Sequence, residues 1–286
     1  MIEKLKECKL CPLECRVNRL EGKKGGCHCD DKLRVALASL HYYEEPCISG
    51  KNGSGTVFFT NCNMKCKYCQ NYEISQMEKG KEISIEHLAE IFLNQQKRGA
   101  HNINLVTPTS YTYQIIEALK IAKKQGLTLP IIYNTNGYEK QETIDLLKGY
   151  IDVYLPDLKY YSEKIAKKYS GIEHYFEYAT KAIKRMYKQV GSYQFNEQGM
   201  IQKGVIIRHL VLPNHILNTK HILKWIKDNM PQDIYVSVMA QYFPTYKAKE
   251  DLLINRKLTQ KEYKEVEEYL YSLNLENGYI QELRRT

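Results

Sequence analysis

Three cysteines confined to one short stretch, Cys62-Asn63-Met64-Lys65-Cys66-Lys67-Tyr68-Cys69, constrain this chain more than any other feature. A CxxxCxxC loop supplies three thiolates, enough to hold a cubane iron–sulfur cluster by three irons and leave the fourth open to a non-protein ligand. A closed structural site would ask for a fourth thiolate, and no cysteine follows Cys69. A lone CxxC also serves as a zinc half-site or a redox pair; three cysteines in one loop favour the cluster.

The residues before the loop place it. Thr56-Val57-Phe58-Phe59-Thr60 is an apolar, β-prone run, so the cysteines stand at the C-terminal end of a first strand, where parallel β/α folds put their active sites. Strand-like and helix-like stretches then alternate. Ser84 caps a helix with an apolar stripe of Leu88, Ile91 and Phe92, followed by a strand at 102–106. Ile115, Ala118, Leu119 and Ala122 mark a second helix that Gly126 ends, before a strand at 129–133. Ile144 and Leu147 mark a third, before a strand at 152–155; residues 162–190 read as two helices. A β-prone run at 205–212, a helix around 222–226 and a strand at 234–238 complete a sixth unit, with a polar helix at 261–273 packed outside. Such alternation predicts an α/β fold with a parallel sheet.

Composition narrows the class. The 286 residues are 43% hydrophobic, sufficient for one large core. No stretch reaches the roughly 18–20 apolar residues that span a bilayer, and the N-terminus lacks an apolar signal segment, so no membrane partner and a cytoplasmic location are expected. In that setting nine cysteines point to metal ligands over disulfides. The net charge of +9 comes from lysines dispersed over helices, which suits solvated faces and argues against a nucleic-acid partner. An acidic electron donor could dock on such a surface.

Gly53-Ser54-Gly55-Thr56-Val57-Phe58-Phe59, the cysteine triad and Gln70-Asn71 together resemble the radical S-adenosylmethionine (SAM) enzymes. The resemblance runs from about residue 50 to about residue 244 and is nearest to the pyruvate formate-lyase activating enzymes, in the branch with an added cysteine-rich N-terminus. It implies a partial (β/α)6 TIM-like barrel. It also implies a [4Fe-4S] cluster on Cys62, Cys66 and Cys69, with SAM chelating the open iron and cleaved by one electron to a 5'-deoxyadenosyl radical. An electron donor such as flavodoxin or ferredoxin and a glycyl-radical enzyme as target are the partners it implies. Modification of a peptide or small molecule would use the same motifs, and a non-catalytic metal-binding interaction protein is the reading of a different class.

The resemblance also nominates site residues. Tyr68 would contact adenine. Asn134-Thr135-Asn136-Gly137-Tyr138 resembles the TNG turn of the activating enzymes and Asp157-Leu158-Lys159 their DxK element. Asp157 and Lys159, two apart on an extended segment, point to one face, where they would hold the charged end of SAM; the alternative is a surface ion pair. Asn134 replaces an aspartate that helps bind a monovalent cation. Thr107 and Thr109 stand where those enzymes carry the GGE element that binds the SAM amino group. Arg208 and His209 match a polar pair in the fifth-strand motif, with His209 read as a hydrogen-bonded core residue.

Residues 1–50 are expected to form a small cysteine-rich metal-binding segment and residues 51–286 the core with its C-terminal helix. Cys8, Cys11, Cys15 and Cys27 supply four ligands for a second site, zinc or a second iron–sulfur cluster. Cys29 or His28 could replace one of them, and Cys47 is left over. Residues 41–50 bridge the two parts, either as a linker with solvent-facing glutamates or as a segment that reaches the barrel mouth.

Overall fold

The computed structural model describes residues 1–283. Seven parallel strands carry the architecture: β2 (Ser54–Phe59), β4 (Ile103–Val106), β5 (Ile131–Thr135), β6 (Val153–Pro156), β8 (Ile201–Leu210), β9 (Tyr235–Met239) and β10 (Gly278–Ile280), hydrogen-bonded in that order. Helices α3 (Ile85–Lys97), α4 (Thr112–Lys124), α5 (Gln141–Leu146), α6 (Glu163–Ser170), α7 (Tyr175–Val190), α8 (Ile216–Asn229) and α9 (Gln260–Ser272) lie in the crossovers. The expected α/β partial barrel is present, and β10 adds one parallel strand beyond the six expected units. Ser84 and Ser162 accept from the main chain of the first turns of α3 and α6, and Thr259 with Glu262 forms a capping box on α9. Among the described residues, no helix is long and apolar enough to cross a membrane.

Alternate side chains of each strand divide between two environments. Ile131, Tyr133, Tyr154, Val205 and Ile207 pack outward against the helices. Ile132, Val153, Leu155 and Ile206 point into the lumen, where α1 (Pro46–Ser49) plugs the floor with Cys47 and Ile48. Continuing the same alternation, Asn134, Asp157 and Arg208 face the lumen at the carboxyl ends of their strands. The inner face is therefore apolar at the bottom and charged at the top.

Residues 1–50 hold more structure than the sequence suggests. Strand β1 (Arg34–His41) pairs antiparallel with β2, and the charged two-residue strand β3 (Lys81–Glu82) covers its outer edge. A short strand β7 (Gln194–Phe195) pairs with β8, and a one-turn helix α2 (Tyr72–Gln76) follows the cysteine loop. Before β1 the chain is held by turns and by Arg19, which is fully buried and donates from Nε to Asp30 O (2.8 Å) and from Nη1 to Ser110 O (2.8 Å). Leu5, Cys8, Leu10 and Tyr113 make a small separate core there.

Candidate active site at the carboxyl ends of the strands

The chain leaves β2 through Asn61, whose left-handed φ of 71° turns it into the cysteine loop. The loop is fastened to the C-terminal end of α6 and the residue before it, with Lys65 N donating to Ser170 O (3.0 Å) and Lys67 N to Tyr169 O (2.8 Å). Each of the three sulfurs meets a hydrogen-bonding group. Asn136 Nδ2 donates to Cys62 Sγ at 3.2 Å, Ser170 Oγ donates to Cys66 Sγ at 3.0 Å, and Ser75 Oγ lies 3.2 Å from Cys69 Sγ. Soft thiolate ligands supported in this way suit an iron–sulfur cluster. Among the described residues, no three His, Cys, Asp or Glu side chains are gathered into an ion-sized cage. Burial pushes the Cys62 thiol up to about 11 and Cys66 up to about 12, with Lys159 drawing Cys66 back down. Cluster assembly on these residues would therefore release protons.

Asp157 and Lys159 are not a surface ion pair. Their side chains are only 13% and 14% exposed, Lys159 Nζ sits 2.5 Å from Asp157 Oδ2, and Arg208 Nε donates to Asp157 Oδ1 at 2.9 Å. Burial alone would raise the Asp157 carboxyl, but Lys159 and Arg208 outweigh it and hold the group below its ordinary value. Arg208 is the hub: its other two nitrogens donate to Glu44 Oε2 (3.1 Å) and Asn134 Oδ1 (2.6 Å). Thus Asn134, in the place of an aspartate, accepts from an arginine. The bridge segment does reach the lumen, through Glu44, whose carboxyl burial pushes up and Arg208 draws down.

Gly137 shows why the TNG turn needs its glycine. Its φ is 82°, and a Cβ there would lie 2.2 Å from the carbonyl oxygen of Asp157. The turn is thus pressed directly against the DxK element, and Tyr175 Oη sits between the two, sharing its one proton between Asn136 O (2.9 Å) and Asp157 O (2.8 Å). Thr107 sits at the end of β4 with a left-handed φ of 58°, a strained position for a β-branched residue, costing about 1–3 kcal/mol.

Three nominated hydroxyls turn elsewhere. Thr109 and Thr135 each donate to Glu139 Oε1 at 2.6 Å. Tyr68 Oη pairs with Tyr160 Oη at 2.5 Å, and Tyr160 Oη with Ser170 Oγ at 2.6 Å. Glu139 itself is fully buried; burial pushes its carboxyl up to about 7 against the pull of Thr109, Thr135 and Tyr133. No sequence signal marked it, since an acid after a glycine turn reads as solvent-facing. His209 is the core residue expected, between Leu158 O (2.7 Å) and Thr219 Oγ1 (2.9 Å), and burial lowers it to about 4.

The N-terminal cysteines share one corner. Cys8 and Cys11 bracket a tight loop closed by Glu14 N to Cys11 O (3.0 Å) and Arg16 N to Cys8 O (3.0 Å). Cys15 Sγ accepts from Gly26 N at 3.1 Å. The Cys29 thiol lies 3.8 Å from Cys27 O and 3.5 Å from Tyr111 Oη, and Arg19 lies within charge range of Cys8, Cys27 and Cys29. Cys47 is apart from this corner, in the lumen floor.

Comparison with known proteins gives the chain a family. Residues 56–195 match the radical SAM superfamily. An uncharacterized protein of Methanocaldococcus jannaschii is 34% identical over 284 residues, 96% of this chain and 77% of that protein. The pyruvate formate-lyase-activating enzyme of Clostridium pasteurianum is 26% identical over 132 residues, 44% of this chain and 54% of that enzyme. In fold the chain is similar to Streptococcus suis SuiB bound to S-adenosylmethionine, with a TM-score of 0.53 at 18% identity over 78% of this chain and 48% of that one. It is also similar to the FeFe-hydrogenase maturase HydG from Carboxydothermus hydrogenoformans, with a TM-score of 0.53 at 14% identity over 77% of this chain and 50% of that one. The chain spans about half the length of these solved proteins. The matched segment begins within β2 and runs through the cysteine loop, the TNG turn and the Asp157–Lys159 pair, so the likeness covers the site as well as its scaffold, and the chain belongs to the radical SAM superfamily.

Proposed function

We propose that this protein is a radical SAM oxidoreductase that abstracts hydrogen from a partner substrate, with activation of a glycyl-radical enzyme as its leading task. The observation that carries the reading is the buried Lys159–Asp157–Arg208 network beside the three-thiolate loop, with Lys159 close enough to Cys66 to bias its ionisation. A [4Fe-4S] cluster and SAM, held at this site, would supply reductive cleavage of the sulfonium and radical hydrogen-abstraction chemistry.

The chain's own residues hold and orient. Cys62, Cys66 and Cys69 ligate the cluster, and Asn136, Ser170 and Ser75 steady their sulfurs. Lys159 meets the carboxylate of SAM while Asp157 and Arg208 fix the lysine in place. Thr107 and Asn134, at the ends of β4 and β5, border the amino end, and Thr135 acts through its main chain because its hydroxyl is bound to Glu139. Tyr68, with its hydroxyl turned to Tyr160, meets adenine by ring or main chain. Cys8, Cys11, Cys15 and Cys27 hold a second metal group, zinc or iron–sulfur, and a flavodoxin or ferredoxin in the cytoplasm supplies the electron.

The test is anaerobic reconstitution with iron, sulfide, reductant and SAM, followed by chromatography for 5'-deoxyadenosine. Failure to form it with a reducible cluster present would overturn the reading. A glycyl-radical signal in a partner polypeptide after incubation separates the leading task from its alternative. Modification of a peptide or small molecule is that second reading, favoured by a cleft of about 800 Å³ opening beside Gln70, Gln241 and Phe243.

A further inference from the structure

The bridge segment delivers a carboxylate that the site's own charges do not match. Glu44 is satisfied by Asn104 Nδ2 (3.3 Å) and Arg208 (3.1 Å). Glu45 is 8% exposed, and its Oε2 is shut from solvent with no hydrogen-bond partner. Arg208 lies within charge range of it, but the hydrogen bonds of its guanidinium go to Asp157, Glu44 and Asn134 and none reaches Glu45. Lys159 is bonded to Asp157. Burying a carboxylate oxygen without a partner is costly, on the order of several kcal/mol.

Glu45 lines a cavity of about 250 Å³ between Tyr43–Pro46 and the inner face of β8, β9 and β10, with Arg208, Gln241 and Tyr279 among its other walls. That volume is below the ~300–1,000 Å³ of pockets that enclose a whole small-molecule ligand, so it suits one side-chain-sized group. The cavity shares Tyr43, Gln241 and Gln281 with the outer cleft of about 800 Å³, which has room for the rest of a larger substrate. Two tyrosine rings beside an unmatched carboxylate favour a cation, by charge and by ring quadrupole.

We propose that this cavity receives an alkylammonium or guanidinium group of the substrate, with Glu45 as its counterion and Tyr43 and Tyr279 as its aromatic walls. The inference deepens the proposed function and rests on it, since it names the chemistry of the group presented to that site. Glu45 recognises and positions; it takes no part in the hydrogen transfer.

The experiment is calorimetric titration of the reconstituted holoenzyme, saturated with SAM, with Nα-acetyl-lysine methylamide, Nα-acetyl-arginine methylamide and the neutral Nα-acetyl-norleucine methylamide. Saturable binding of one or both cationic probes, at least tenfold tighter than the norleucine probe and at least tenfold weaker in Glu45→Gln, is the expected result. Which cation binds more tightly identifies the group. Equal affinity for cationic and neutral probes, no saturable binding of either cation, or unchanged binding in Glu45→Gln would overturn the proposal. The comparison among probes uses the wild-type chain and so does not depend on how the variant folds. Formation of 5'-deoxyadenosine by the same preparation reports the cofactor chemistry separately, so a failed titration beside formed product rejects the cation site alone.

Discussion

Ser170 Oγ donates to Cys66 Sγ at 3.0 Å, across 104 residues of sequence, and this donation orders the hydroxyls behind it. With its own proton directed at sulfur, Ser170 accepts from Tyr160 (2.6 Å), and Tyr160 in turn accepts from Tyr68 (2.5 Å). Three hydroxyl dipoles thus point at one of the sulfurs proposed to hold the cluster. Such hydrogen bonds favour the more negative, reduced form. One bond is worth about 0.5–1.5 kcal/mol, and for one electron about 59 mV corresponds to 1.4 kcal/mol, so Ser170→Ala is expected to lower the reduction potential by roughly 20–60 mV. Potentiometry followed by electron paramagnetic resonance measures this; no shift, or a positive one, removes Ser170 from the tuning role.

Lys159→Met leaves Asp157 with Arg208 alone and takes away the cation nearest Cys66. SAM binding is expected to weaken at least tenfold, or about 1.4 kcal/mol, while iron content holds. Equilibrium dialysis against SAM and iron quantitation on the same sample check both halves. An unchanged SAM affinity would mean the buried network serves only to hold β6 against β8.

Glu139 makes stability fall as pH rises. Its folded value of about 7 lies above the ordinary 4.5, so between those values the folded chain keeps a proton that the unfolded chain has released. The favourable contribution is full below about 4.5 and is lost as pH climbs through 7, by roughly 3 kcal/mol on the order-of-magnitude scale of such shifts. Glu139→Gln keeps an acceptor for Thr109 and Thr135 and removes the titration. Urea midpoints at pH 5 and pH 8 should then differ less in the variant than in the wild type; equal slopes would place the proton elsewhere.

The proposed N-terminal site predicts retained metal when the Cys62–Cys69 loop loses its thiols. A Cys62/Cys66/Cys69 triple-alanine chain should still carry zinc or iron, and adding Cys8→Ala with Cys11→Ala should abolish it and expose residues 1–33 to protease. Elemental analysis decides between the metals, because zinc leaves about four iron atoms per wild-type chain and a second cubane roughly doubles that number. Cys29, whose thiol lies 3.8 Å from Cys27 O, is the residue to substitute next if Cys15 proves dispensable.

The sequence made the cysteine loop and the strand–helix alternation readable because both are local. Val57 and Phe59, or Ile115 and Leu119, announce their elements by spacing alone, and the DxK pair followed from the two-residue period of an extended chain. What stayed hidden depends on distant partners. Arg208 reads as one polar residue in an apolar strand, and its role as hub requires Glu44, Asn134 and Asp157 to arrive from three other segments. Strand β1 carried little signal because only Val35 is buried along it. Strand β10 is three residues long and half-buried, too short for periodicity to register.

The pairing of β1 with β2 has a practical consequence for anyone trimming this chain. Cutting before residue 50, to keep the segment that matches the radical SAM superfamily, would strip a partner from the strand that carries the cysteine loop. The raw edge left behind would offer unpaired main-chain groups to neighbouring molecules, so a shortened chain should be lost to aggregation before its chemistry could be assayed.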